Sequence, residues 1–279
     1  MVDIKNSKNS LSIELWLIIG YVALRFIFPM LIARSFSAQS EWIIFGFEAI
    51  TYGLICFLIW RERNDLINFN IDRSVLTIVL VGIIFRTSTS RTNVLIILEL
   101  AFLLVALLII IVLRKGKLNI PKNRNADYRW IIGSFLIGIL LSLFFTIPVM
   151  VNNNEGCLAA KPDFVSLVAT LISNILNELS HASIPEEILF RGFLWGYLRK
   201  IHWQEKSILL LQALLFWLIH INLLNHPYSF WMTIPVSTMV LSILVYYSHS
   251  VITSIVSHTI LNAMIPVVSF IVLPFVCNF

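Results

Sequence analysis

Residues 164–199 read FVSLVATLISNILNELSHASIPEEILFRGFLWGYLR. The run is apolar enough for a membrane helix, yet near its centre IPEEILFRG (184–192) sets two adjacent carboxylates and an arginine among Ile, Leu and Phe. A charge at bilayer depth costs at least ~2.5–3.5 kcal/mol on the mildest scale, so such residues normally face a bundle interior and carry a function. Whether this stretch lies in a membrane is decided by the rest of the chain.

The chain has 279 residues, 58% hydrophobic and 13% charged, with a mean hydropathy of +0.88. Soluble domains are roughly a quarter charged, because they need a polar coat. The composition therefore predicts an all-α, polytopic transmembrane helical bundle. Apolar runs recur near 12–34, 41–60, 74–86, 94–113, 130–150, 164–199, 207–222, 231–248 and 250–276. With about 20 residues needed per crossing, they make eight or nine spans; the run at 74–86 is short. The first run is too long for a signal-peptide core and reads as an uncleaved helix.

Lys and Arg cluster in three connections: Arg61, Arg63 and Arg73; Arg114, Lys115, Lys117, Lys122, Arg124 and Arg129; and Arg199, Lys200 and Lys206. The positive-inside rule places all three in the cytoplasm. Lys5 and Lys8 put the N-terminus there too, while Arg86 and Arg91 fall on the other side. The chain is thus expected to be a multi-pass protein of the cell membrane, with the lipid bilayer as a partner. It shows no nucleic-acid motif, and its basic loops read as topology signals. Cys56, Cys157 and Cys277 have neither metal nor disulfide spacing. The terminal Cys277-Asn278-Phe279 is no prenylation box, which needs its cysteine fourth from the end.

The polar content divides the chain. Residues 1–150 carry few polar groups inside the spans, with Arg25, Glu48 and Glu99 as exceptions, and form N-terminal helices of unassigned role. Residues 164–276 hold almost all the others. Glu187 and Arg191 stand at i and i+4, share a helix face and can pair. Glu186 is turned about 100° away and has Phe190 at its own i+4. The paired carboxylate reads as structural and the unpaired one as chemical, suited to general acid or base work. Ser183 and Glu186 fit a capping box with Pro185 in the first turn, which predicts a bent or broken helix that restarts at Ser183 beside a cavity. Asn174, Asn177, Glu178 and His181 precede the break and read as polar cavity lining, with Glu178 available to substrate.

Two later runs carry matching features. FWLIH (216–220) aligns Phe216 with His220, and HTILN (258–262) aligns His258 with Asn262. At 1.5 Å per residue, Glu186 and His220 both lie about 20 Å from the cytoplasmic edge, and His258 and Asn262 about 12–18 Å. The expected arrangement is one polar site on three helices, in a cavity opening toward the cytoplasm.

The set EEILFR, FWLIH and HTILN resembles the three ordered motifs of the CAAX protease and bacteriocin-processing family (CPBP, or Abi) of intramembrane proteases, over about residues 164–276. That resemblance implies peptide-bond hydrolysis within the membrane, on a peptide or protein substrate. Glu186 and His220 would activate water, His258 and Asn262 would stabilise the oxyanion, and Glu187 and Arg191 would hold the first motif. Bacteriocin or pheromone precursors, or self-immunity, are the expected contexts. Members have also been described as metalloproteases, and Glu186, His220 and His258 would then be the ligands of a zinc ion. A metal-free glutamate mechanism is favoured, because Asn262 is a good oxyanion donor and a poor zinc ligand. The competing classes are a non-enzymatic immunity protein and a transporter with a polar intramembrane cavity.

Overall fold

A computed structural model of the chain describes residues 12–33, 37–88, 127–152 and 163–276, with a few positions between 104 and 111. Lys5, Lys8, Arg91, Glu99, most of the run at 94–113, the basic residues from Arg114 to Arg124, Cys157 and Cys277 lie outside them. Every described element is a helix, so the all-α expectation holds. In order they are α1 (Ile13–Ala33), α2 (Ser37–Arg61), a 3₁₀ turn (Leu66–Phe69), α3 (Arg73–Ser88) and α4 (Tyr128–Asn152). Then come α5 (Phe164–Glu178), a π segment (Leu179–Ser183), α6 (Ile184–Glu187), a second π segment (Ile188–Leu194) and α7 (Trp195–Lys200). After α8 (Glu205–Leu218) a 3₁₀ turn (Ile221–Asn225) and a third π segment (Ser229–Thr233) lead to α9 (Ile234–Ser248) and α10 (Val251–Val276). Among the described residues, three stretches are long and apolar enough to cross a membrane: Tyr128–Ile147, Ser229–Ser248 and Val251–Ile271. The short run appears as α3, 16 residues long.

The sequence reading is corrected at Ser183. Backbone dihedrals stay right-handed helical through every junction from α5 to α7, so residues 164–200 form one unbroken rod. Ser183 makes no side-chain cap. The rod absorbs Pro185 by widening one turn: the Ile184 N–H bonds to the Leu179 carbonyl, five residues back. That shift skips the Ser180 carbonyl, which accepts the Tyr52 hydroxyl of α2 at 2.5 Å. The second π segment ends with the Trp195 N–H on the Phe190 carbonyl and skips Arg191. The Arg191 carbonyl accepts the Asn70 side-chain amide at 3.2 Å. The third precedes Pro235, ends with the Ile234 N–H on the Ser229 carbonyl, and skips Phe230. The Phe230 carbonyl accepts the Trp217 indole N–H at 2.7 Å. A buried carbonyl without a donor is costly. At each wide turn a side chain from elsewhere in the fold supplies one.

The connection between α2 and α3 fastens the rod. Asn70 adopts a left-handed conformation, φ 56°, and its carbonyl accepts the first N–H of α10, from Val251, at 3.0 Å. Asp72 caps α3 by accepting the Ser74 and Val75 N–H groups and also takes the Ser250 hydroxyl. Gly196 has no side chain because Phe69 lies there; a Cβ would sit 2.2 Å from its ring. One apolar cluster runs through Ile18 of α1, Ile55 and Leu58 of α2, Phe69, Val75 and Val79 of α3, Ile188 and Phe193 of the rod, and Ile255 of α10. α4 lies along α10, where Ser134, Gly138 and Ser142 allow close approach. A Cβ on Gly138 would come 2.7 Å from the Ser257 carbonyl oxygen.

Two substitutions test this account. Tyr52→Phe and Asn70→Gly each leave a carbonyl of the rod without its donor, with an expected loss of about 1–3 kcal/mol, read as a lowered melting temperature in detergent. Gly138→Val is expected to destabilise by a similar ~1–3 kcal/mol through overpacking, whereas Gly133→Ala, with nothing within 4 Å of its Cβ, should not. Wild-type melting of Tyr52→Phe and Asn70→Gly would sink the carbonyl argument.

Candidate active site

The first motif sits where the rod changes from α6 to its second π segment. Glu187 and Arg191 are both completely buried and pair at 2.8 Å. The other terminal nitrogen of Arg191 donates to Thr238 of α9, to the hydroxyl at 2.6 Å and the carbonyl at 3.2 Å. The same Glu187 oxygen holds Nδ1 of His258 at 2.8 Å. One carboxylate thereby ties the rod to α10 directly and to α9 through Arg191.

Phe216, on α8, is the hub of the second motif. The Arg191 guanidinium lies 4.5 Å from its ring centre, and the rings of His220 and His258 lie 4.9 and 6.0 Å from it. Residues of all three motifs therefore meet around one phenylalanine. His220 stands just past the end of α8, not on the helix, and turns its ring back so that Nδ1 meets the Phe216 carbonyl at 2.7 Å. A carbonyl only accepts, so Nδ1 carries the proton and Nε2 is left with its lone pair. His258 is also held through Nδ1, by the Glu187 carboxylate. The Asn262 amide donates to Glu178 Oε2 at 3.0 Å and has a second N–H. Glu178, read from the sequence as available to substrate, is held by that bond.

Glu186 is 3% exposed and is not unpaired. Arg25 of α1 forms an ion pair with it. Glu48 of α2 pairs with His181, one turn of the rod away. The sequence marked Arg25 and Glu48 as unusual, but their partners are far away along the chain and no local spacing connects them. Asn70, Thr238 and Tyr52 were not marked, because each acts through hydrogen bonds to backbone or side chains distant along the chain.

As a zinc site the set does not fit: among the described residues no three His, Cys, Asp or Glu side chains are grouped to hold a metal ion, and the Glu186 carboxylate is on Arg25.

Against known proteins, residues 162–264 match a family model described as Rce1-like, type II CAAX prenyl endopeptidase Rce1-like. The match begins at the foot of α5, ends just beyond Asn262, and is to the CAAX protease group that the three motifs resemble. No curated protein and no solved structure matches the chain.

Arg191→Ala strands Glu187 in the interior. Removing one partner of a buried pair costs about 3–5 kcal/mol, so protein level in membranes and melting temperature should both fall. Glu186→Gln keeps the shape of a side chain near the end of the packed interior, and its level should stay near wild type. Immunoblots of membrane fractions showing equal loss in both variants would refute this division of labour.

Proposed function

We propose that the chain is a multi-pass intramembrane endopeptidase of the cell membrane, in which Glu186 and His220 activate water for attack on a peptide carbonyl. The observation that carries this reading is the meeting of the three motifs around Phe216. His220 Nε2, made an acceptor by the Phe216 carbonyl, is suited to take a proton from water together with the Glu186 carboxylate. The water oxygen bonds to the carbonyl carbon and the carbonyl oxygen becomes an oxyanion. The second N–H of Asn262 is a donor for that charge, and His258 is another when both of its nitrogens carry protons, Nδ1–H on Glu187 and Nε2–H toward the oxyanion; the low dielectric of the bundle strengthens both. Collapse breaks the C–N bond, and the proton held by the Glu186–His220 pair passes to the leaving amine. Arg25 orients Glu186, while Glu187 and Arg191 hold the rod against α9 and α10.

The mechanism is metal-free: Asn262 is a donor rather than a ligand, and Glu186 is engaged by a guanidinium. Bacteriocin or pheromone precursors are the substrate class in this reading, and self-immunity is the other role open to the same chemistry. No observation favours a transporter.

His220→Ala is expected to lower cleavage by roughly 10²–10⁴-fold, the usual contribution of an acid–base group. Asn262→Ala should lower it about 10²–10³-fold, as for loss of an oxyanion donor. A chelator should leave the rate unchanged. These are read on membrane and secreted peptides compared by mass spectrometry across wild type, a deletion and Glu186→Gln. Products that vanish equally in the deletion and in Glu186→Gln support the reading and name the substrate. A Glu186→Gln peptide profile identical to wild type would overturn it.

A further inference from the structure

The molecule has two unlike ends. At the first end Arg199 donates to the Asn68 carbonyl at 2.7 Å, Lys200 pairs with Glu62 and Asp65 at 2.7 and 3.0 Å, and Arg61 pairs with Glu14 at 2.8 Å. The bonds from Val251 to Asn70 and from Ser250 to Asp72 bring the α9–α10 turn to the same end. That end carries Arg61, Arg63, Arg73, Arg199, Lys200 and Lys206, so the positive-inside rule makes it cytoplasmic. The connection at the far end of α8, residues 219–228, contains neither Lys nor Arg.

Between the basic end and Glu186 the packing is closed. Every rod residue from 183 to 198 is buried, against Ile18, Ile55, Leu58, Phe69, Val79 and Ile255. On the other side of Glu186 burial stops abruptly and the side chains turn polar. His181 is 45% exposed. Asn177 is exposed, and Asn174 and Glu178 are half-buried. His220 and Asn262 are half-buried as well, and Asn222, Asn225 and His226, just after His220, are exposed. Two cavities agree with this. A cleft of about 440 Å³ at the basic end, lined by Asn68, Arg199, Glu205, Tyr246 and His249, contains no residue of the site. A smaller cavity beyond Glu186 contains none of the four site residues either, but it reaches Arg25, the partner of Glu186, with Glu48, Thr51, His181 and Pro185.

We propose that the site is served from the face opposite the basic loops, and that its substrates are peptide segments on the extracytoplasmic side of the membrane. This reverses the expectation of a cytoplasmic opening, and it rests on the endopeptidase reading above. The Asn177 amide, with the groups that Asn174 and His181 keep beyond their bonds to the Ala263 carbonyl and Glu48, suits an extended peptide backbone, whose N–H and C=O groups need partners once they leave water. The substrate class is therefore the outer flank of a membrane anchor, or a short peptide that has crossed the bilayer. A cytoplasmic chain terminus would meet the closed end.

The test uses the full-length protein in cells, with Cys56, Cys157 and Cys277 replaced and a single cysteine at Asn222→Cys or Gln204→Cys. A membrane-impermeant maleimide is expected to label Asn222→Cys in intact cells, and that labelling should stop formation of the cleavage products. Gln204→Cys, on the basic loop, should label only after permeabilisation. The opposite labelling pattern overturns the proposal. A second measurement needs no cysteine variant: the products lost in Glu186→Gln are mapped onto their parent proteins. Cleavage at extracytoplasmic segments supports the proposal. Cleavage at cytoplasmic segments overturns it while leaving the endopeptidase reading intact. Loss of no product in Glu186→Gln removes both.

Discussion

The constraint on which the rest of the fold depends is that a buried peptide carbonyl needs a donor. The rod from 164 to 200 carries the first motif through wide turns, and each such turn skips one carbonyl. An isolated helix of this sequence would leave Ser180 and Arg191 unsatisfied among apolar side chains. Tyr52 of α2 and Asn70 of the following connection supply the donors. The N-terminal helices, to which the sequence assigned no role, are thereby bound to the site's geometry. The second wide turn spans Ile188–Leu194, directly after Glu186 and Glu187. Wide turns are frequent at functional sites because they re-aim side chains without ending the helix.

The adjacent carboxylates have separate environments. Glu187 is enclosed and bonded on one oxygen to both Arg191 and His258. An enclosed ion pair adds little net stability compared with apolar packing, but it is costly to break. Its value here is positional: it joins the rod to α10 and fixes the orientation of the His258 ring. Glu186 faces α1 and meets a guanidinium that is 20% exposed. One charge is locked in the packing, whereas the other lies at its edge, on a guanidinium that is partly exposed.

What was legible in the sequence was local or periodic. The i, i+4 spacing of Glu187 and Arg191 gave their ion pair, and the ordered motifs gave the helices that meet at Phe216. Residue counting from the basic loops led to an expectation of one depth for Glu186, His220, His258 and Asn262; of these, His220 and His258 are the two whose rings meet Phe216. What was illegible depended on distant partners or on a choice between backbone solutions. Ser183, Pro185 and Glu186 form a pattern compatible with a capped restart. A widened turn solves the same proline problem and keeps the helix, and nothing local distinguishes the two until Tyr52 is present to take the spare carbonyl. Arg25 was visible as a charge in an apolar run, but only the folding of α1 against the rod shows that it belongs to Glu186. His220 was placed on a helix by its spacing from Phe216. It stands just past the helix end, where its ring can still reach back to the Phe216 carbonyl.

A hydrolase inside a membrane needs water at a polar site without giving ions a path across. A site open at both ends would be a polar pore whose Glu and His side chains are of the kind that relay protons through membrane proteins. Closing one end with packed Ile, Leu and Phe removes the path and leaves the chemistry. In this fold the closed end is the one where Arg199, Lys200, Asn70 and Asp72 bind the helices together, so the groups that fasten the bundle also pack it shut. The polar end is left to the 219–228 connection and the less buried half of the rod, which have few such fastenings. Rigidity at one end and access at the other follow from one distribution of contacts, with Glu186 at the boundary between them.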